Sequence, residues 1–243
     1  MSFKNLNHLF SVIYLGLFFT LISCSSNVSK ILETPKATLS IVTASDPGLF
    51  KNDSLKFPLY LTDKIESKEQ VQANYGSNVF IIHRGHLLKA SATKEENVAV
   101  LKSLEGKGID AVNLSMEDFI IADQQQISLE NYSQFFLNSS VVNLNEDNIV
   151  TKPNISSFVI YEGVAFIGLS DQVVDKNLVT EKFLISDYVL AILRAKKTAL
   201  TNNSLKKVSQ PKIQSFVIVH NEGSEINEII ERLPPNFLNS LTD

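Results

Sequence analysis

The sequence predicts an α/β fold in which one or more β-sheets are flanked by helices. Short runs of β-branched and aromatic residues alternate with longer segments whose apolar residues recur at helical spacing. Capping residues and glycines lie at the ends of several of these helical segments. The chain has 243 residues, of which 44% are hydrophobic. This is enough apolar material for one sizeable core.

The first half of the chain predicts three strands and one helix. The strands are expected at 38–44, 78–82 and 110–114. A helix should begin at Thr93, because Thr93 and Glu96 have the spacing of a capping box, and Gly106 and Gly108 would end it. Residues 51–77 are polar and are predicted to form an insertion or a long loop.

The second half adds four strands and three helices. The strands are expected at 141–144, 157–161, 164–168 and 215–219. The helices are expected at 127–137, from 186 or 187 to about 200, and from 224 to 233. Glu162-Gly163 separates two apolar runs and indicates a tight hairpin turn. Pro234 and Pro235 would end the last helix, and 201–212 is predicted as an exposed loop.

The N-terminus has the features of an export signal. Residues 1–23 contain no acidic residue, and Lys4 precedes an apolar run at 9–22. That run has about 14 residues, whereas a membrane-spanning helix needs about 20. It ends in Leu21-Ile22-Ser23-Cys24, which resembles the lipobox of bacterial lipoproteins. An uncleaved anchor helix with an incidental cysteine is the alternative.

This resemblance implies that Cys24 carries the lipid, such as palmitate, and becomes the mature N-terminus. Cys24 is the single cysteine, so no disulfide can form within one chain. We therefore expect a signal peptide at 1–23, a polar tether at 24–36 and one folded domain at 37–243. The protein would lie in the cell envelope, on the periplasmic or outer-surface side of a membrane. Ser25, rather than Asp, favours the outer membrane.

Charge and composition narrow the range of partners. The chain has 22 basic and 26 acidic residues, for a net charge of −4. No basic stripe interleaves with aromatic residues, so a nucleic-acid partner is not expected. The expected partners are the membrane, through the lipid on Cys24, and other envelope proteins.

Polar residues follow several predicted strands at their carboxyl ends, where open α/β sheets bind ligands. They are Asp46, His83, His86, Glu117, Asp118, Asn143 and His220. Imidazole and carboxylate groups are ligands of zinc, iron and manganese. The pattern is consistent with a metal site at one rim of the sheet. Polar residues at strand ends are also common as loop residues and helix caps, which is the alternative interpretation.

Six segments match, in order, the conserved blocks of a known family. The most telling is Gly108-Ile-Asp-Ala-Val-Asn-Leu-Ser-Met-Glu-Asp-Phe119, beside the family's Gly-Tyr-Asp-Ala-Val-Thr-Leu-Gly-Asn-His-Glu-Phe. The other segments are 41–48, 79–88, 141–144, 161–169 and 216–223. Together they resemble the metal-binding domain of the 5'-nucleotidase-like, calcineurin-like metallophosphoesterases. The resemblance covers about residues 38–233 and implies a metallophosphoesterase-like fold.

The resemblance also implies a site that has lost most of its metal ligands. The first Asp is kept as Asp46, but the His that follows it in the family is Gly48 here. The carboxylate that bridges two cations in the family is replaced by His86, the Asn ligand by Met116 and the catalytic His by Glu117. A later His corresponds to His220 or Asn221, and the family's final Gly-His-x-His has no match.

We therefore expect a degenerate, non-catalytic domain that acts as a binding or assembly module, with no cofactor and no catalytic residue. A neutral imidazole cannot bridge two cations about 3.5–4 Å apart as a carboxylate does. A thioether is a poor ligand for hard divalent ions. The alternative is a phosphoester hydrolase with one divalent metal ion, with Glu117 as the base. Its candidate ligands are Asp46, His86, Glu117 and His220. A purely structural lipoprotein with an accidental resemblance is a third hypothesis.

Overall fold

Twelve strands and five helices are present in the part of the chain that the structure describes. This computed structural model describes residues 38–43, 48–50, 55, 57–145, 149–171, 178, 181–205, 212–220, 226–235 and 237. All of these residues belong to one unit that spans 37–243. Within the described residues, no helix is both long enough and apolar enough to cross a membrane.

The strands and helices alternate along most of the chain, as the sequence predicts. The strands are β1 (Thr38–Thr43), β2 (Gly48–Phe50), β3 (Leu59–Thr62), β4 (Phe80–His83), β5 (Ala111–Asn113), β6 (Phe136–Leu137), β7 (Val141–Leu144), β8 (Val150–Thr151), β9 (Phe158–Tyr161), β10 (Val164–Leu169), β11 (Phe183–Ile185) and β12 (Ser215–His220). The helices are α1 (Lys68–Tyr75), α2 (Lys94–Lys107), α3 (Met116–Gln124), α4 (Tyr188–Leu205) and α5 (Ile226–Arg232).

The first sheet has the strand order β1-β12-β10-β9. Its first three strands are parallel, and β9 pairs antiparallel with β10. The predicted hairpin joins β9 to β10. Glu162 and Gly163 have φ angles of 46° and 80°, positive at both central positions as a type I′ turn requires.

The second sheet has the order β2-β3-β4-β5-β6 and is parallel from β3 to β6. Strand β2 pairs antiparallel with β3 at its edge. A small third sheet, in the order β11-β7-β8, is antiparallel. It lies beside α3, where Phe183 of β11 contacts Phe119 with ring centroids 5.8 Å apart.

Three apolar clusters define the layers of the domain. The cluster between the two larger sheets includes Phe80 of β4 and Phe166 of β10, whose rings stack 4.6 Å apart. A second cluster lies between the second sheet and helices α2 and α3. A third lies between the first sheet and helices α4 and α5. The fold is therefore two facing sheets with helices on both outer sides, which confirms the predicted fold class.

Short sequence motifs predicted several helices correctly. Thr93 and Glu96 form the predicted capping box: the Glu96 N–H donates to the Thr93 hydroxyl at 3.2 Å, and the Thr93 N–H donates to the Glu96 carboxylate at 2.7 Å. Helix α2 then ends at Gly108, which has a φ of 70°. The predicted last helix is present as α5.

The helix predicted at 127–137 is wrong. That segment contains a single 3₁₀ turn at Leu129–Tyr132 and the short strand β6, whose Phe136 and Leu137 pair with β5. The helix of this region is α3, which begins earlier at Met116 because Ser115 and Asp118 form a second capping box. The apolar residues that suggested a helix are buried because they fill the core beside the second sheet.

Two segments predicted as loops contain regular structure. Residues 51–77 include strand β3 and helix α1. Helix α1 is mostly exposed and buries only Val71, so its sequence lacks an apolar stripe. Helix α4 continues to Leu205, five residues into the predicted loop at 201–212.

Candidate functional site

Asp118 organises the loop that follows β4. Its carboxylate is fully buried and accepts hydrogen bonds from the N–H groups of His86 and Leu88, each at 2.9 Å. It also accepts from the N–H and the hydroxyl of Ser115, at 2.9 Å and 2.8 Å. Both carboxylate oxygens thus hold the loop against the start of α3. In this arrangement Asp118 fixes the backbone around the candidate site.

His86 and Glu117, two residues of the predicted rim, are in contact. The Nδ1 atom of His86 lies 3.1 Å from Oε2 of Glu117. The side chain of His86 is 45% exposed and that of Glu117 is 22% exposed, so solvent reaches the pair. His86 has a φ of 53°, a left-handed conformation that few non-glycine residues adopt. The loop held by Asp118 thus directs this imidazole to Glu117.

His83 lies at the end of β4 but is buried. It is 2% exposed, and its Nδ1 accepts a hydrogen bond from the Gly85 N–H at 3.2 Å. Burial lowers the pKa of His83 below its usual value, while the charge of Asp118 acts in the opposite direction. A neutral imidazole in this position supports the turn at Gly85. Its contacts are those of a structural residue.

His220 lies at the end of β12 in the first sheet and is 1% exposed. Its ring packs edge-on against Tyr188 of α4, with ring centroids 5.3 Å apart. Burial lowers the pKa of His220 to about 4, so the imidazole is neutral at physiological pH. His86 and Glu117, by contrast, lie beyond the second sheet.

Met116 occupies the position that the family resemblance associates with an Asn ligand. It is 9% exposed and belongs to the apolar cluster between the second sheet and its helices. Its N–H donates to the hydroxyl of Ser170 at 2.7 Å. The side chain of Met116 therefore contributes to the core, and its backbone contacts Ser170.

A network of small polar residues, which sequence reasoning missed, lies at the carboxyl ends of the strands. Asn113 donates its side-chain amide to the carbonyls of Leu169 and Val219, at 2.9 Å and 3.1 Å. The Ser170 N–H donates to the Ser140 hydroxyl at 2.8 Å. Asn113, Ser140 and Ser170 form what we call the polar edge, which joins the two larger sheets. The run Asn138-Ser139-Ser140, which directly follows an apolar pair, was the signal that could have indicated it.

Asn143 does not lie with the other predicted rim residues. It is part of β7 in the third sheet, opposite Phe183 and Thr151. There it lines a shallow cleft of about 220 Å³. Asn143 was predicted to follow the strand at 141–144, but it lies within that strand, which pairs with neither larger sheet.

The candidate metal set can be compared with the structure only in part, because Asp46 and Asn221 lie outside the described residues. Within the described ranges, no three His, Cys, Asp or Glu side chains are close enough together to hold one metal ion. The structure brings His86 and Glu117 together. These two side chains could contribute two ligands to a cation.

Comparisons with known proteins give matches to solved structures. No protein-family model and no curated protein sequence matches the chain. The sulfate thiohydrolase SoxB of Thermus thermophilus, solved with glycerol, matches 68% of this chain with 16% identity and a TM-score of 0.49. The NAD nucleotidase NadN of Haemophilus influenzae matches 66% with 16% identity and a TM-score of 0.41. This chain spans 30% and 28% of those chains, which are therefore much longer.

Proposed function

We propose that this protein is a lipid-anchored protein of the cell envelope whose metallophosphoesterase-like domain is non-catalytic. The domain would act as a binding or assembly module. The observation that carries the proposal is the burial of Met116 in the apolar core, at the position of a metal-ligating Asn in the resembled family. A buried thioether at that position disfavours a hard divalent ion.

The position of the bridging ligand supports the same proposal. His86 replaces the carboxylate that two cations share in the family, and its Nδ1 contacts Glu117. A neutral imidazole cannot offset the repulsion between two cations. The buried carboxylate of Asp118, which holds the His86 loop, accepts four hydrogen bonds from that loop and from Ser115. Withdrawing it to bind a metal would break these bonds.

The polar edge is a further argument. Ser140, Ser170 and Asn113 form hydrogen bonds with one another's backbone or with strand carbonyls. These contacts occupy polar groups at the carboxyl ends of β5, β10 and β12, where an enzyme of this fold would hold its substrate. The arrangement favours a stable scaffold over an open reaction site. Binding would then use the outer surfaces of the domain.

The proposed anchoring depends on the sequence of the first 24 residues, which lie outside the described part of the chain. The short apolar run and the lipobox-like Leu21-Ile22-Ser23-Cys24 are typical of an exported lipoprotein. Ser25 favours the outer membrane. One lipid chain gives only marginal membrane binding, so stable anchoring needs a second acyl chain or a second contact.

The absence of catalysis is tested on the full-length protein purified in detergent. Bound manganese, zinc and iron are measured by elemental mass spectrometry, and hydrolysis of p-nitrophenyl phosphate and bis-p-nitrophenyl phosphate is followed with each metal added. We expect well under one metal ion per chain and no hydrolysis above the buffer rate. Metal-dependent turnover that is lost in His86→Ala but kept in Lys89→Ala would disprove the proposal.

Anchoring is tested by the mass of the N-terminal peptide and by partitioning into a detergent phase. The wild-type protein should begin at Cys24 with acyl groups attached and should enter the detergent phase. Cys24→Ser should keep its first 23 residues and lack the acyl mass. A mature N-terminus at any other residue would contradict the lipoprotein assignment.

A single-metal hydrolase is the second candidate function. The observation that favours it is the 3.1 Å contact between His86 and Glu117, which places one imidazole and one carboxylate side by side at an exposed position. Asp46 and His220 would complete the ligand set. In that case, manganese or zinc would bind once per chain, and both His86→Ala and Glu117→Gln would lose it.

A further inference from the structure

Helix α4 carries an exposed cationic face that the proposed function has not used. The helix contains no Asp or Glu among its 18 residues. The chain as a whole has more acidic than basic residues, 26 against 22. The basic residues of α4 are Arg194, Lys196 and Lys197, of which Lys196 is buried. This helix is therefore a local concentration of positive charge on an acidic protein.

Spacing places the exposed charges together. Leu190, Arg194 and Lys197 lie at positions i, i+4 and i+7, which share one face of a helix. All three are exposed, and Leu190 is 50% exposed although it is large and apolar. The opposite face packs on the first sheet through Ala191, Ile192 and Ala195, among others. A face with two cations and an exposed leucine can meet lipid headgroups and the edge of the acyl chains at the same time.

Lys152, which follows β8, lies near this face, because it bonds to Ser157 directly before β9, and β9 contacts α4. Its Nζ donates a hydrogen bond to the Ser157 hydroxyl at 3.1 Å. Partial burial, and then the nearby charge of Arg194, lower the pKa of Lys152 below its usual value. Like charges held near each other destabilise the fold unless an anion lies close to both. An external anion would relieve that repulsion.

The protein itself does not supply the anion within the described residues. Four other cations there form ion pairs with carboxylates: Lys68 with Asp110, Arg84 with Asp63, Lys182 with Asp123 and Arg232 with Asp187. In the same described ranges, no carboxylate oxygen lies within 4.0 Å of the charged nitrogens of Lys152, Arg194 or Lys197.

We propose that the cationic face formed by Lys152, Leu190, Arg194 and Lys197 lies against the phosphate groups of an anionic phospholipid bilayer. The proposal rests on the proposed anchoring through Cys24, which would keep the domain beside a membrane. Each Lys or Arg near an anionic surface strengthens partitioning by about fivefold. Leu190 would enter the boundary between headgroups and acyl chains. The face would add a contact with the membrane beside that of the lipid on Cys24.

The test uses the full-length lipidated protein reconstituted into nanodiscs of phosphatidylcholine, with or without phosphatidylglycerol. Lysines are acetylated briefly and the extent of labelling is measured by mass spectrometry. Labelling of Lys152 and Lys197 should slow by about fivefold in the anionic discs and recover at high salt, which screens surface charge. Exposed Lys89 and Lys102 of the same molecules are internal controls and should label equally in both discs.

A pair of charge-reversal variants completes the design. Arg194→Glu should restore fast labelling of Lys152 and Lys197 in anionic discs, whereas Lys102→Glu should leave their protection unchanged. Equal labelling of these two lysines in both lipid compositions would overturn the proposal, as would equal protection of the control lysines. Protection produced in neutral discs by soluble inositol hexakisphosphate, without anionic lipid, would overturn the bilayer assignment in favour of a soluble polyanion.

This outcome is separable from failure of the anchoring proposal. Acylation is read from the intact mass of the N-terminal peptide, whereas the footprint compares two bilayers to which the protein is already bound. A protein that is acylated but shows no lipid-dependent footprint keeps its anchor and loses the cationic docking face. A protein without acyl groups fails the anchoring proposal directly.

Discussion

The side-chain amide of Asn113 donates a hydrogen bond to the backbone carbonyl of Val219 at 3.1 Å. The same amide group donates to the carbonyl of Leu169 at 2.9 Å. Asn113 belongs to β5 of the second sheet, and its two acceptors belong to β10 and β12 of the first. One fully buried amide thus links the two sheets.

Replacing this amide should destabilise the domain. Asn113→Ala removes two buried hydrogen bonds and leaves a void, and we expect a loss of about 2–3 kcal/mol in the free energy of unfolding. Urea denaturation of the full chain measures the change. Asn74→Ala on exposed α1 is the control and should stay within about 0.5 kcal/mol of wild type. Equal stability of the two variants would show that the link contributes nothing.

Replacement of glycine by alanine should have opposite effects on the free energy of unfolding at two positions, Gly168 and Gly106. A Cβ on Gly168 would lie 2.2 Å from Cδ1 of Leu137 and 2.4 Å from Oδ1 of Asn113, so Gly168→Ala must displace the link between the sheets. A Cβ on Gly106 in α2 would meet nothing within 4 Å.

We expect Gly168→Ala to lower the free energy of unfolding by at least about 2 kcal/mol. Gly106→Ala should raise it by about 0.5–1 kcal/mol, because alanine loses less backbone entropy in a helix. Thermal denaturation of both variants is the measurement. A stabilised Gly168→Ala variant would contradict the close packing of Leu137 and Asn113 against Gly168.

Asp118 should control the loop that carries His86. Asp118→Asn replaces one carboxylate oxygen by an amide nitrogen, which cannot accept a hydrogen bond. The bonds to that oxygen, from Leu88 or from His86 and Ser115, are then lost. We expect a loss of about 3 kcal/mol, because these are buried hydrogen bonds to a charged group. Hydrogen exchange of residues 84–88 should become faster. The control Glu105→Gln, at an exposed position of α2, should change neither property.

Stability should fall in mildly acidic solution because of His220. Burial lowers its pKa to about 4 in the folded state, whereas an unfolded chain has a histidine pKa near 6.5. Between these values the unfolded state binds more protons, so the free energy of unfolding decreases as the pH falls. The decrease approaches about 1.4 kcal/mol per pH unit for one such group.

The pH series distinguishes His220 from other groups. His83 also has a lowered pKa because of burial and contributes in the same direction. In His220→Gln, urea denaturation between pH 4 and 6.5 should show a shallower slope than in wild type. The control Asn74→Ala, at an exposed position of α1, should keep the wild-type slope. An unchanged slope in His220→Gln would show that the pKa of His220 does not differ between the folded and unfolded states.

The parts of the fold that were predicted correctly depend on short-range interactions. The capping box of Thr93 and Glu96, and the turn at Glu162-Gly163, each form between residues close in sequence. Two of the elements that were missed are short or polar: β6 has two residues, and α1 buries only Val71. Such elements are stable because of their partners in the sheet or core, which a local pattern does not contain.

The candidate site shows the same division. The sequence predicted His86 and Glu117 as polar residues at strand ends, and the family resemblance implied that Met116 stands at the position of an Asn ligand. It did not show that Met116 would be buried in the core or that Asp118 would accept the backbone of the His86 loop. These outcomes depend on how α3 packs against the second sheet.

The sequence by itself determined the alternation of strands and helices, the hairpin, and the capped helix α2, because local propensity and nearby hydrogen bonds decide those features. Only the tertiary structure decided the polar edge, since Asn113 and Val219 are 106 residues apart. It also decided which charges remain exposed on α4. Tertiary packing decides which distant groups come into contact, and the local pattern of the sequence does not predict those contacts.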